Sequence, residues 1–317
     1  VTKPPRRRPL IRFLLASAFA CLFSTAGAAA TSQAGKPAAK REAGAATEAQ
    51  APRLLKRTTT RRELRGFGYG GKLTVYGAPE GSVTIEAWPR AEIEIVAEVE
   101  LQAETEEDLA LLAEVNGFHL DEDFNHFRLL TLGTHDRQYL KRSGRKLPKR
   151  LLGLPWRADY RVRVPAVIDL EIYTGRGAVG LAGVEGSVRL QAGAGAATFD
   201  LSGGDFEAVL AGGPVTVRVP TRGWRGRGMA LRLAGGDLTV ELPAGFSGDL
   251  DAEVLRAGRV ENHHPGLVRR PGADAPTGRA LRARAGNGGA LLNFTVVDGT
   301  VKIVQAGAAA RPPARNP

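Results

Sequence analysis

Several stretches of this 317-residue chain carry residue types at spacings that could do chemistry. Gly175-Arg-Gly177-Ala-Val-Gly180 fits the Gly-x-Gly-x-x-Gly pattern, which seats a pyrophosphate at the N-terminus of the helix it opens. The residues that follow, Leu181-Ala-Gly183-Val-Glu-Gly186, keep a strand-and-turn rhythm and supply no helix, so no dinucleotide site is expected. Ser143-Gly-Arg-Lys146 fits Ser-x-x-Lys, whose chemistry needs serine and lysine one helical turn apart. Gly144 and Pro148 oppose that helix, and the Ser-Asp-Asn and Lys-Thr-Gly partners of such enzymes are missing. Acid pairs Asp249/Asp251 and Glu92/Glu94 alternate with Leu250, Ala252, Ile93 and Ile95, which predicts a solvated strand face rather than a glycosidase cleft.

Metal chemistry fares no better. Gly203-Gly204-Asp205 and Gly235-Gly236-Asp237 resemble turns of calcium-binding β-rolls, but Ala178, Ser187, Ala196 and Pro214 stand where the acid would recur. Adjacent His263 and His264 would point opposite ways in an extended segment, and His119 and His126 flank Asp121-Glu122-Asp123 without a positioned third ligand. All four histidines are expected as solvated loop residues. The sequence therefore predicts no catalytic, cofactor or metal residue, and a non-enzymatic protein.

The elements that would carry these residues are mostly β. Gly-x-apolar-x-apolar units begin at Gly177, Gly186, Gly195, Gly204 and Gly213, nine residues apart each time, and recur with gaps at Gly236 and Gly248. Nine residues leave about five for a strand and four for a turn in which glycine supplies a positive backbone angle. Less regular strands are expected over Leu281 to Ala285, Leu292 to Val296 and Val301 to Val304. Each buries one face, so the expectation is an all-β stack of short strands, a β-solenoid or β-roll-like repeat, over 161–305. An N-terminal β-rich part (64–133) precedes it, with antiparallel strands around Leu73, Val75, Val83, Ile85 and Ile93 to Leu101. One helix is expected at about 105–115, opened by Thr105-Glu106-Glu107-Asp108 and stopped by Asn116-Gly117.

Arg6, Arg7, Arg8 and Arg12 precede the apolar run Phe13 to Phe23 and the small residues Ala26 to Ala30, the order of a secretory signal peptide (1–30) cleaved near Ala28 or Ala30. The only cysteine, Cys21, lies inside that run, where Phe19 fits a lipid-attachment site poorly. Cleavage would leave a chain without thiol chemistry or a transmembrane span. Residues 1–62 carry 13 Lys/Arg against 2 Asp/Glu, whereas 63–317 carry 31 of each. The net charge of +11 is thus a property of the leader and of an expected disordered basic linker (31–63), and no nucleic-acid partner is expected. One basic excursion interrupts the body over 134–160. There Lys141, Arg142, Arg145, Lys146, Lys149, Arg150 and Trp156 are candidate contacts for a partner or an anionic surface, while Pro148, Gly153 and Pro155 prevent a long helix. Residues 306–317 are expected as a disordered tail.

The order of these pieces resembles a bacterial putative-adhesin family catalogued as domain of unknown function 4097. Val83-Thr-Ile-Glu-Ala-Trp88, Glu92-Ile-Glu-Ile-Val96, the acidic helix from Glu104 to Val115, Val162-Arg-Val-Pro165-Ala-Val-Ile-Asp169-Leu170, Tyr173-Thr174-Gly175 and the glycine units follow one another as in that family. The basic excursion and the insertion from Glu261 to Thr277 depart from its simplest pattern. The resemblance implies an exported β-repeat protein with an adhesion role and brings no catalytic or ligand residues. The expected function is an envelope scaffold meeting a cell-wall polymer, membrane surface or protein; the alternative is a periplasmic accessory or sensor module using the basic excursion.

Overall fold

The computed structural model describes residues 54–68 and 70–307. The expected leader with Cys21, the linker up to residue 53 and the tail from residue 308 lie outside the described residues. Along the chain run β1 (Leu55–Gly66), β2 (Lys72–Tyr76), β3 (Val83–Trp88), β4 (Glu92–Ala103), α1 (Glu106–Val115), β5 (Gly117–Asp123), β6 (His126–Leu132), α2 (Arg137–Ser143) and β7 (Trp156–Pro165). There follow β8 (Asp169–Thr174), β9 (Val179–Ala182), β10 (Ser187–Ala194), β11 (Ala197–Asp200), β12 (Gly203–Gly212), β13 (Val215–Arg218), β14 (Arg225–Gly235) and β15 (Leu238–Leu242). The chain continues with β16 (Gly248–Ala257), β17 (Val260–Asn262), β18 (Leu267–Arg269), β19 (Ala280–Ala285), β20 (Leu291–Asp298) and β21 (Val301–Gln305). They form two mixed sheets. One is ordered β1-β4-β7-β3-β9-β11-β13-β15-β21-β17, the other β18-β19-β16-β20-β14-β12-β10-β8-β2-β6-β5.

Consecutive strands from β8 to β15 alternate between the sheets, so the nine-residue unit is half of the spatial repeat. Val188 of β10 pairs in parallel with Leu170 of β8 and Phe206 of β12, eighteen residues to either side. Ala197 pairs likewise with Val179 and Val215. From β8 to β15 the period-two alternation turns one side of each strand inward, and parallel register stacks like positions into ladders. Leu73, Leu170, Val188, Phe206, Met229 and Leu292 form one inside the second sheet; Ile85, Leu181, Phe199, Val217, Val240 and Ile303 form one inside the first. All twelve are buried, each contributing about 1.5–3 kcal/mol. Phe199 and Phe206 meet between the sheets with ring centroids 5.1 Å apart.

Glycine is required by close approach as much as by turn geometry. A Cβ on Gly177 would sit 1.9 Å from the Gly81 carbonyl oxygen, one on Gly195 1.9 Å from Gly177 O, and one on Gly213 2.1 Å from Gly195 O. The backbone at each corner therefore packs directly on the glycine of the preceding level.

Sequence order is broken at both ends of the stack. β20 lies between β14 and β16, and β21 between β15 and β17, so the last strand pair is inserted inside the one before it. At the other end β6 and β7 lie outside β2 and β3.

Four expectations are corrected. β2 and β3 pair in parallel with their neighbours rather than as the expected antiparallel strands, because Gly77 to Ser82 carries the chain from one sheet to the other. They share both sheets with the repeat, so 64–133 and 161–305 contribute to one core. The last residues of the expected linker, Leu55 to Glu63, are strand: β1 pairs antiparallel with β4 over its full length, and Lys56 and Arg62 meet Glu100 and Glu94. The expected basic excursion contains α2 and ends early, since Trp156 to Tyr160 already belong to β7. The expected helix is α1, with Thr105 Oγ1 accepting from Asp108 N at 3.1 Å.

Candidate functional site

The strongest candidate is an open groove of about 640 Å³ between α2 and the outer face of the second sheet. Its floor is built by parallel pairing. Tyr76 near the end of β2 and Tyr173 near the end of β8 are register partners, so their side chains leave the same face side by side. The rings stack with centroids 5.3 Å apart and planes 13° from parallel, and Tyr76 is 43% exposed. Leu130 of β6 extends the row. Beneath it, Thr131 Oγ1 lies 2.7 Å from Tyr76 O and 2.7 Å from the buried Tyr160 hydroxyl, which fixes the strand ends.

The wall is α2. Asp136 caps it, accepting from Gln138 N at 2.9 Å and Tyr139 N at 3.0 Å, and Gly144 ends it in the left-handed region at φ 68°. His135, Asp136, Gln138, Tyr139 and Arg142 face the groove from this side. The His135 ring lies against Trp156, centroids 5.3 Å apart. Desolvation there lowers its pKa, opposed by Asp136. Thr174 Oγ1, shielded from solvent at the groove's edge, has no hydrogen-bond partner. The groove thus offers the outer face of a stacked tyrosine pair, a guanidinium and an imidazole, a set suited to holding a ring-bearing polar ligand.

The candidate contacts of the basic excursion divide into two groups. Arg145 pairs with Glu114 of α1 at 3.2 Å and Arg150 with Asp108 at 2.6 Å, while Trp156 is half-buried against the core. These three fasten the excursion to the body. Lys141, Arg142, Lys146 and Lys149 are exposed and form no ion pair among the described residues. Of them Arg142 lines the groove.

The remaining motifs resolve into structure. Gly175 and Gly177 precede β9, not a helix, and pack on Pro79 O and Gly81 O. Ser143 is the last residue of α2 and donates to Leu140 O at 2.9 Å, leaving Lys146 beyond the helix. Asp205 pairs with Arg227, and Asp237 Oδ1 accepts from Thr300 N at 2.8 Å. Asp249 is held by Arg284 at 2.7 and 2.9 Å, which lowers its pKa, and Asp251 pairs with Arg270. Glu94 corrects the expectation of a solvated face: it is 4% exposed, beneath Arg62 and Arg163. Two histidines also differ from solvated loop residues. His264 is buried, with Nε2 3.2 Å from Pro243 O and Nδ1 accepting from Gly266 N, and His126 Nε2 lies 2.8 Å from the buried Thr74 hydroxyl.

The tyrosine pair was missed by reasoning from overall aromatic content. Its signal is local: Leu73-Thr-Val-Tyr76 and Leu170-Glu-Ile-Tyr173 are the same apolar-x-apolar-Tyr pattern at a strand end, with Gly77 and Gly175 within two residues.

No family model matches the chain, and no curated protein matches it. Solved structures similar to it include a putative cell adhesion protein from Clostridium sporogenes ATCC 15579, at TM-score 0.41 and 10% identity, covering 78% of this chain and 100% of that one. A putative adhesin from Bacteroides fragilis NCTC 9343 matches at TM-score 0.26 and 10% identity, covering 78% and 97%. A putative lipid binding protein from Parabacteroides distasonis ATCC 8503 matches at TM-score 0.20 and 10% identity, covering 78% and 96%. At these values the likenesses assign no ligand to this chain. No helix among the described residues is long and apolar enough to cross a membrane.

Proposed function

We propose that this chain is an exported, non-enzymatic envelope protein whose stacked strand pairs form a β-solenoid-like scaffold, and that its groove holds a ring of a cell-wall polymer. The observation that carries this reading is the stacked Tyr76–Tyr173 pair, with Tyr76 exposed, flanked by Arg142. Two rings locked by strand register present flat apolar area with little conformational freedom left to lose, which favours the carbon-hydrogen face of a sugar ring. Arg142 supplies a fork for a carboxylate on the same polymer. A rigid stack of strands suits an extended ligand, because it supplies surface along its whole length.

A second reading, an accessory module that docks on an acidic partner protein, is favoured by the unpaired cations Lys141, Lys146 and Lys149 outside the groove. Cosedimentation of the purified protein with an insoluble cell-wall fraction, at low and high salt, separates the two. Polymer binding is expected to resist salt and to be lost in the Tyr76→Ala/Tyr173→Ala protein. Pelleting that survives this double substitution rejects the groove; pelleting abolished by salt and by Lys141→Glu/Lys146→Glu supports the second reading.

A further inference from the structure

The hairpin joining β5 and β6 turns on two residues, Phe124 and Asn125. Phe124 is completely exposed and sits at φ 54°, the one positive-φ residue other than glycine among the described residues. A tight hairpin turn at such an angle calls for glycine or asparagine, so a bulky aromatic is held there against local preference and gains nothing from the fold it belongs to. Asp121, Glu122 and Asp123 precede it; Arg128 pairs with the first and third, leaving the tip net acidic.

The same molecule carries the complementary surface. The tyrosine groove is aromatic, and Lys141, Arg142 and Lys146 lie on or just beyond its wall without ion-pair partners. Tip and groove lie at opposite ends of β6, with His126 beside the tip and Leu130 to Leu132 at the groove, so the tip cannot fold back onto its own groove. An anionic lipid surface would repel the three acids. We propose that the Phe124 tip of one copy seats on the Tyr76–Tyr173 stack of a second copy, with the acids of the tip facing the cations of α2. The inference rests on the groove being a ring-binding site, as proposed above; wall polymer and a second copy would then compete for it. The two halves of the contact differ, so a pair leaves one groove and one tip free and association continues head to tail.

Sedimentation velocity on the purified protein tests this. The wild type is expected to self-associate with rising concentration, less so in high salt. Phe124→Asn, whose new residue suits the left-handed region, is expected to fold and to weaken association at least tenfold. Tyr76→Ala/Tyr173→Ala should do the same. Mixing these two monomeric variants should restore a one-to-one dimer, because one still has a tip and the other a groove. A wild type monomeric throughout, association undiminished in Phe124→Asn, or a mixture that stays monomeric overturns the proposal. So does Phe124-dependent flotation with phosphatidylglycerol vesicles in a protein that does not self-associate. Wall pelleting that persists in Phe124→Asn while self-association is lost supports both readings. Tip-dependent association without any wall pelleting removes the polymer and leaves the self-contact standing.

Discussion

Four glycine-to-alanine substitutions separate the two demands that the stack places on its corners. Gly213 bears both: its φ is 113°, and a Cβ would lie 2.1 Å from Gly195 O. Gly195 lies outside the left-handed region, but its Cβ would lie 1.9 Å from Gly177 O. Gly245 has φ 73° with open space around it, and Gly235 has neither constraint. A carbon and a carbonyl oxygen need roughly 3.3 Å, as in the closest Cα–H···O contacts, so at Gly195 and Gly213 the backbones must part by about 1 Å or more. Forced overpacking of this kind costs about 1–3 kcal/mol, and more where the obstacle is backbone rather than a movable side chain. The left-handed backbone adds about 1–2 kcal/mol for an alanine. Expected losses are thus about 2–5 kcal/mol at Gly213, at least about 1–3 at Gly195 and about 1–2 at Gly245. At Gly235 a gain of about 0.4–1 kcal/mol is expected from the less flexible unfolded chain. Urea unfolding midpoints followed by circular dichroism measure the series. A Gly195→Ala protein with the wild-type midpoint, or a Gly213→Ala protein no worse than Gly245→Ala, would refute the close-packed corner.

Two titrations and one pair of substitutions extend the test to the two ends of β6. Burial pushes the Tyr160 phenol up to about 12, against the opposing effect of Thr131, so one of the five tyrosines should ionise last in an alkaline absorbance titration. Above pH 10 the unfolded chain releases this proton and the folded one retains it, so about 2 kcal/mol of stability should be lost by pH 12, an effect absent in Tyr160→Phe. At neutral pH, Tyr160→Phe should cost about 1 kcal/mol and Thr131→Val more, because valine leaves both the tyrosine hydroxyl and Tyr76 O without this partner. Desolvation, with Arg128 and Lys72 adding to it, lowers the His126 pKa below its ordinary 6.5. The unfolded chain therefore takes up a proton first as pH falls through 6.5. Urea midpoints should drop over that interval in the wild type and less in His126→Gln.

The repeat and α1 were legible in the sequence because each is local: a glycine every nine residues with alternation between, and a capped acidic first turn. What escaped is set by contacts between distant segments. The nine-residue period does not say whether successive units pair with each other or alternate between two sheets, and only the eighteen-residue register decides it. β1 reads as linker because none of its side chains is fully buried; it is held by twelve backbone pairs and by the acids of β4, which lie about forty residues away. Glu94 reads as solvated for the same reason, since the arginines covering it come from β1 and β7. At the groove, charge counting found the basic excursion but could not divide it. Arg145 and Arg150 are fixed by acids of α1, which proximity in sequence does not reveal. Phe124 left no pattern, because an aromatic residue in a short turn differs from a buried one only in what surrounds it.

The ends of the stack explain why association would use a tip and a groove rather than an open sheet edge. β17 and β18, the outermost strands at one end, are three residues each, too short to template a long pairing. At the other end β1 is twelve residues long but bears Lys56, Arg57, Arg61, Arg62 and Arg65, which would oppose a second copy of itself along the edge. Arg61 also reaches across to the other sheet, its guanidinium 4.5 Å from the centre of the Phe118 ring and bonded to Phe118 O at 3.2 Å. The remaining edge, β5, ends in the acids beside Phe124, so edge pairing of two copies there would bring like charges together. Every free edge is thus short or charged, Tyr76 and Tyr173 lie on inner strands, and Phe124 stands in the turn beyond its edge strand rather than along it. Such an arrangement restricts contact to places where ring meets ring and acid meets base, which is how a stack of strands can present extended surface without growing by strand addition.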